Sequence, residues 1–188
     1  MLHRPSALVA VGIALAWPLG VIAQQTPPIS GTTGTIALEG TVKAEYGAAH
    51  TIVVGAIDGT EHVFHFAKDL LVHGSNTSGE DALKGMRTGT TVVVHYTAEG
   101  ATETVHEFDR VGADGLQVGE GVVTRIDRAR KQITVKFDGG KTETLELTDR
   151  AAADVGKDVD KAAMNTTRVA VYYTDEAGHK VVHYFKKK

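Results

Sequence analysis

The sequence has 188 residues, 20 basic and 23 acidic side chains, a formal net charge of −3 and no cysteine. This charge argues against a nucleic-acid partner, because proteins that bind nucleic acids need a basic surface. Without cysteine the chain can form no disulfide framework. An apolar content of 42% and a charged content of 23% indicate a globular protein, and the length allows one or two small domains.

Residues 1–23 have the pattern of a secretory signal peptide. Arg4 gives a weakly basic start, residues 7–21 form an apolar run, and Val21 and Ala23 stand at the −3 and −1 positions of a cleavage site. The run is shorter than the roughly 20 residues that span a membrane. We therefore predict cleavage after Ala23, no membrane-spanning segment in the mature chain, and a periplasmic or secreted protein. A retained N-terminal anchor is the alternative.

Residues 24–35 contain proline, glycine, serine and threonine and show no apolar periodicity. Such a composition is typical of flexible segments that connect folded parts of a chain. We predict a mobile tether that holds the folded part away from the N-terminus.

A first β repeat is predicted over residues 36–111. Its opening part contains three strands rich in β-branched residues, and Asp58-Gly59 predicts a two-residue hairpin turn between the second and third. A loop and a short helix follow, with Ser78 as the expected N-cap of the segment 80–86. Two further strands, at residues 91–97 and 103–111, complete the repeat.

A second repeat over residues 116–188 matches the first step by step. Glu120-Gly121 corresponds to Glu39-Gly40, and the short glycine-rich segment 112–115 separates the repeats. Five strands with a helix between the third and fourth are the element order of an OB-fold, in which strand five lies between strands three and four. We predict an all-β protein with two tandem five-stranded OB-like barrels. SH3-like barrels, or one sandwich of about ten strands, are the alternatives.

The predicted barrels should contact each other. An exported chain without disulfides depends on packing for its stability, and two separate small barrels would bury less surface than one compact body. Tyr172 and Tyr184 lie on neighbouring strands of repeat two and would supply this contact. Their alternative use is an exposed platform for a ligand.

The segment 89–96, Gly-Thr-Thr-Val-Val-Val-His-Tyr, follows the Asp-Gly hairpin in repeat one. This combination resembles small exported bacterial OB-like β-barrel domains of unknown function, here in tandem duplication. Repeat two departs from the motif, because Asn165 stands where repeat one has Gly89. The resemblance implies an exported barrel and assigns no catalytic residue.

Three histidines of repeat one are candidate metal ligands: His65, His95 and His106. In an OB barrel they would lie on three neighbouring strands, and alternation with apolar residues predicts that His65 and His95 point outward. If His106 also points outward at a similar height, the three could hold one ion. Neutral imidazole binds both Zn²⁺ and Cu²⁺. The alternative is that they are ordinary exposed polar side chains, since repeat two has Glu146 and Tyr172 in place of His65 and His95.

No catalytic constellation is evident, and we predict that the protein is not an enzyme. Ser30, Ser75 and Ser78 lie in predicted loops outside any nucleophile elbow. The predicted function is a non-catalytic binding or interaction module of the bacterial cell envelope, without a cofactor, whose partner is a protein, a glycan or a small ligand. The first alternative is a periplasmic copper- or zinc-binding protein using the three histidines. The second is a structural protein whose barrels pair edge to edge.

Overall fold

A computed structural model describes residues 35–44, 49–73, 79–158 and 165–188, with the backbone alone given for residues 154–158. The predicted signal peptide, nearly all of the predicted tether and the predicted cap Ser78 lie outside these ranges. No helix in the described ranges is long and apolar enough to span a membrane.

The first five strands form a closed barrel in the order β1-β2-β3-β5-β4. Strands β3 and β5 run parallel, and the other neighbours are antiparallel. The elements are β1 (Ile36–Ala44), β2 (Ile52–Ala56), β3 (Glu61–Leu71), a 3-10 helix (Gly79–Leu83), β4 (Thr91–Glu99) and β5 (Thr102–Arg110).

The last five strands form a second closed barrel with the same order, β6-β7-β8-β10-β9. The elements are β6 (Gln117–Asp127), β7 (Gln132–Phe137), β8 (Thr142–Leu147), helix α1 (Asp149–Asp158), β9 (Arg168–Glu176) and β10 (His179–Lys187). Each barrel thus places its fifth strand between its third and fourth strands. The all-β prediction with two OB-like barrels is confirmed, and a single ten-stranded sandwich is excluded.

The first hairpin differs in detail from the prediction. The Ala56 amide donates a hydrogen bond to the Thr60 carbonyl across a three-residue loop, residues 57–59. Of these loop residues only Gly59 has a positive φ, of 89°. The predicted two-residue turn is therefore wrong, because a left-handed glycine at the third loop position closes a hairpin equally well. The second barrel uses the same loop, with Gly140 at a φ of 83°.

The element between the third and fourth strands also differs between the barrels. In the first barrel it is only a 3-10 turn, and Gly85 ends it with a φ of 80°. In the second barrel it is a true α-helix, which Thr148 caps by accepting a hydrogen bond from the amide of Ala151 at 3.2 Å. Ala151 and Leu83 each close one end of their barrel core.

A small apolar cluster joins the two barrels. It consists of Val93 from β4, Leu116 from the connection, and Ala170 and Tyr172 from β9. The Tyr172 hydroxyl donates a hydrogen bond to Glu39 on β1 at 2.7 Å. The expected contact between the repeats is therefore confirmed, and Tyr172 serves this contact rather than an exposed platform.

The connection between the barrels is short and hydrogen-bonded. Leu116 donates its amide to the Arg110 carbonyl at 2.7 Å and accepts from the Gly112 amide at 2.9 Å. This turn sets β6 close to the end of β5. As a result, the outer face of β4 and β5 lies against β9 and β10.

Candidate metal centre between the barrels

A β-bulge decides which side chains of β5 face away from the barrel core. The pairing of β4 with β5 shifts between His95–Glu107 and Tyr96–Val105, so that His106 is the extra residue. Val105 and Phe108 therefore both enter the core. Glu107 and Asp109, on either side of Phe108, point to the outer face.

The second barrel has the same bulge at His183 on β10, where the pairing with β9 shifts between Val182 and Tyr184. Each bulged histidine has its Nε2 next to a threonine hydroxyl of the neighbouring strand. The distance is 3.0 Å from His106 to Thr97 and 2.9 Å from His183 to Thr174. The two positions are thus structurally equivalent.

His183 reaches across to the first barrel. Its Nδ1 lies 2.9 Å from Oε1 of Glu107. On the other side, Nδ1 of His73 lies 2.7 Å from Oδ1 of Asp109 and 3.4 Å from Oε1 of Glu107. One ligand atom from each of these four residues lies within 4.8 Å of the other three. We call His73, Glu107, Asp109 and His183 the inter-barrel cluster.

The backbone holds His73 in place at the cluster. His73 follows β3, and its amide donates a hydrogen bond to Oδ1 of Asp109 at 3.1 Å. Its carbonyl accepts one from the amide of Arg110 at 3.4 Å. His73 is the most exposed member, with 25% of its side chain accessible, so it marks the side from which solvent reaches the cluster.

The cluster is otherwise closed to solvent and incompletely hydrogen-bonded. Glu107, Asp109 and His183 have no exposed surface, and neither has the nearby His95. Within the described ranges, Oε2 of Glu107, Oδ2 of Asp109 and both ring nitrogens of His95 have no hydrogen-bond partner. Burying charged groups is costly unless they are paired or coordinate a metal. The geometry therefore leaves acceptor capacity inside the interface.

The pKa values of the two carboxyl groups are pushed apart. Burial would raise the pKa of Glu107, but the hydrogen bond from His183 and the charges of the histidines lower it to about 2. Burial raises the pKa of Asp109, and the charge of Glu107 acts in the same direction. Like charges at such short range disfavour each other's ionisation.

The histidines of this region also differ from each other. Burial alone would lower the pKa of His73, but the hydrogen bond and charge of Asp109, together with the charge of Glu107, raise it to about 9. Burial lowers the pKa of His95, which favours a neutral ring. A neutral imidazole is the form that binds a metal.

The three predicted metal ligands are not brought together as a group in this cluster. His65 is exposed on β3, and His106 is half-buried beside Thr97. His95 points away from the core as expected, but the second barrel covers this face, so the predicted exposure of His95 is wrong. The metal-binding role of His65, His95 and His106 stays a prediction.

Sequence reasoning did not identify His73, Glu107, Asp109 or His183 as candidate metal ligands. The alternation of Glu107, Phe108 and Asp109 along one strand is a signal that could have been used. It became interpretable only with the bulge at His106 and with the position of the second barrel. His73 follows a strand and carries no pattern of its own.

The cluster fits a divalent transition metal. Two imidazole nitrogens and two carboxylate oxygens are ligands that Zn²⁺ accepts in tetrahedral sites. Two donors that each lie about 2.1 Å from one ion can be no more than about 4.2 Å apart. Because the four atoms already lie within 4.8 Å of one another, side-chain adjustments of less than about 1 Å would bring them into range.

Comparison with known proteins adds little beyond the fold. No family model matches the sequence, and no curated protein matches it. Among solved structures, the crystal structure of Ag(I)CusF matches 40% of this chain and 96% of its own, with 12% identity and a TM-score of 0.31. At these values the similarity says nothing about what the present chain binds.

Proposed function

We propose that this protein is an exported, non-catalytic metal-binding protein of the bacterial cell envelope. It binds one divalent transition-metal ion between its barrels through His73, Glu107, Asp109 and His183. The observation that carries this proposal is the pair of fully buried carboxylates, each with an unpartnered oxygen, beside two imidazoles. These four ligands differ from His65, His95 and His106, the ligands expected from the sequence.

Charge balance supports a divalent ion. In the metal-free cluster the raised pKa of His73 keeps its ring protonated at neutral pH, so one imidazolium offsets part of the negative charge of the buried carboxyl groups. A bound divalent cation would displace that proton and neutralise two ionised carboxylates, with both imidazoles in the neutral form that binds a metal. The chain has no thiolate to offer, and a nitrogen and oxygen ligand set favours Zn²⁺ or Cu²⁺ over Cu⁺.

Export and duplication belong to the same proposal. The basic start, the apolar run 7–21 and the small residue Ala23 in the sequence support a cleaved signal peptide. The common strand order of the two barrels supports an origin by tandem duplication. A periplasmic or secreted location would bring the cluster into contact with metal ions that enter from outside the cell.

The test is a calorimetric titration of the purified protein with Zn²⁺, Cu²⁺ and Mg²⁺. We expect one equivalent of Zn²⁺ or Cu²⁺ to bind, and Mg²⁺ to bind far more weakly because it prefers an octahedral shell of oxygen ligands. The double variant Glu107→Gln, Asp109→Asn should lose the binding.

The matched control is Glu103→Gln. Glu103 also pairs with a histidine, His62, at 2.8 Å, but on the outer surface of the first barrel. This variant should bind metal as the unmodified protein does. Absence of binding to the unmodified protein, or equal losses in the two variants, would contradict the proposal.

A further inference from the structure

We infer that the metal ion also fastens the two barrels together, so that metal binding and barrel docking form a single equilibrium. This inference rests on the proposed function. Three of the four ligands, His73, Glu107 and Asp109, belong to the first barrel. The fourth, His183, belongs to the second. A complete coordination shell therefore exists only when the barrels are docked.

The apolar contact between the barrels is small. Four buried residues form the cluster around Val93 and Leu116, whereas eleven and twelve buried residues form the two barrel cores. Partly buried Val111 and Tyr184 pack against this four-residue cluster. Polar contacts surround this apolar patch, and among them Glu39 accepts hydrogen bonds from Tyr172 and from Lys186 at 3.0 Å. Relative motion is the usual behaviour of domains that share a small, polar interface.

Docking without metal also buries groups that water would otherwise solvate. Oε2 of Glu107, Oδ2 of Asp109 and both nitrogens of His95 lose solvent without gaining a described partner. Leaving such atoms unsatisfied is costly. Separation of the barrels would return them to water, and a bound cation would instead give the carboxylates a partner. The ion therefore stabilises the docked state selectively.

The connection between the barrels is a short turn between Val111 and Leu116, closed by backbone hydrogen bonds. Separation of the barrels therefore requires this turn to pivot or to open. Such a short tether keeps the barrels at high effective concentration after they separate. A ligand shifts such an equilibrium by its difference in affinity for the two states, and here that difference comes from His183.

The test measures the distance between the barrels with and without metal. The chain has no cysteine, so Glu61→Cys and Thr142→Cys, both exposed at strand starts, give one spin label on each barrel. Pulsed electron paramagnetic resonance then gives the distribution of label distances. We expect a broad distribution in the presence of a chelator and a narrow one with Zn²⁺, while the bound zinc is quantified in the same samples.

His183→Gln separates docking from binding. It leaves three ligands on the first barrel, so it should still bind zinc, at least about tenfold more weakly, and the distribution should stay broad at saturation. His106→Gln changes the equivalent residue outside the interface. The distribution of label distances in this variant should narrow with zinc as it does in the unmodified protein. Circular dichroism verifies that each variant is folded.

The outcomes distinguish this inference from the proposed function. If one equivalent of zinc binds and the distribution of label distances does not change, the coupling of metal binding to barrel docking is wrong, whereas metal binding itself stands. The same holds for a distribution that is narrow in both states, or that narrows in His183→Gln as in the unmodified protein. Absence of bound zinc would overturn both proposals.

Discussion

His106 and His183 occupy the same bulge in the two barrels, yet only His183 lies against the other barrel. Each lies beside the hydroxyl of the equivalent threonine, Thr97 or Thr174. His106 remains half-buried, whereas His183 is fully buried and lies 2.9 Å from Glu107 of the other barrel. The surface that covers His183, rather than the local fold, makes this histidine a candidate ligand.

The strands that face each other carry different side chains in the two barrels. On the first barrel, His95 pairs with Glu107 and Val93 pairs with Asp109. In the second barrel the equivalent pairs are Tyr172 with Tyr184 and Ala170 with Lys186. Acids therefore lie on one side of the interface, and tyrosines and a lysine lie on the other. This asymmetry explains why one cluster forms rather than two.

The largest expected effect concerns the stability of the zinc-loaded protein, in which the barrels are docked. Glu107→Ala should lower the free energy of unfolding by about 3 kcal/mol at roughly a hundredfold excess of zinc over its Kd, because it removes a metal ligand and leaves the buried Nδ1 of His183 without its carboxylate partner. Glu103→Ala removes the corresponding acid from the partly exposed pair with His62 and should cost at most about 1 kcal/mol. Urea unfolding monitored by circular dichroism measures both values. Equal losses of unfolding free energy in Glu107→Ala and Glu103→Ala would show that the position of Glu107 between the barrels contributes nothing to stability.

The second prediction concerns the pH dependence of stability in the presence of a chelator. The pKa of His73 is raised from 6.5 to about 9 in the folded protein, so the folded state keeps a proton that the unfolded state has released. This contribution is complete below pH 6.5 and is lost as the pH rises through about 9. The free energy of unfolding should therefore fall over this window.

His73→Gln provides the reference for that measurement. It removes the titrating group and leaves Asp109, Glu107, His95 and His183 in place. The difference in unfolding free energy between the two proteins should shrink from pH 6.5 to pH 9. If the difference in unfolding free energy stays constant between pH 6.5 and pH 9, the pKa of His73 is not raised in the folded protein.

The smallest expected effect concerns the rim of the interface. Tyr172→Phe removes the hydroxyl that donates to Glu39 at 2.7 Å and keeps the ring in the apolar cluster. In the zinc-loaded, docked protein we expect a loss of about 1.5 kcal/mol, the lower end of the range for a hydrogen bond to a charged group. A double-mutant cycle with Glu39→Gln should assign most of that loss to the pair. Additive effects in the cycle would show that the two side chains do not interact.

Much of the fold could be predicted because it depends on local patterns. The matching glycines Gly40 and Gly121 mark places where strands approach closely. A Cβ atom at Gly40 would lie 2.5 Å from Val54, and one at Gly121 would lie 2.4 Å from the Lys136 carbonyl oxygen. Turn glycines and β-branched runs indicated the hairpins in the same way.

The site could not be predicted because it depends on two features that are not local. The bulge at His106 changes which residues of β5 face outward, and simple alternation along a strand does not reveal such an extra residue. The docking of the barrels then decides that His95 and His183 are buried while His65 is exposed. Neither repeat contains that information by itself.

The most direct test of the account is a side-by-side zinc titration of His183→Gln and His106→Gln by calorimetry. The two variants make the same substitution at equivalent bulges, so they differ only in whether the residue lies between the barrels. We predict that His106→Gln binds one equivalent of zinc with the affinity of the unmodified protein. His183→Gln should bind at least about tenfold more weakly. Equal affinities in the two variants, or a larger loss in His106→Gln, would contradict an inter-barrel metal centre.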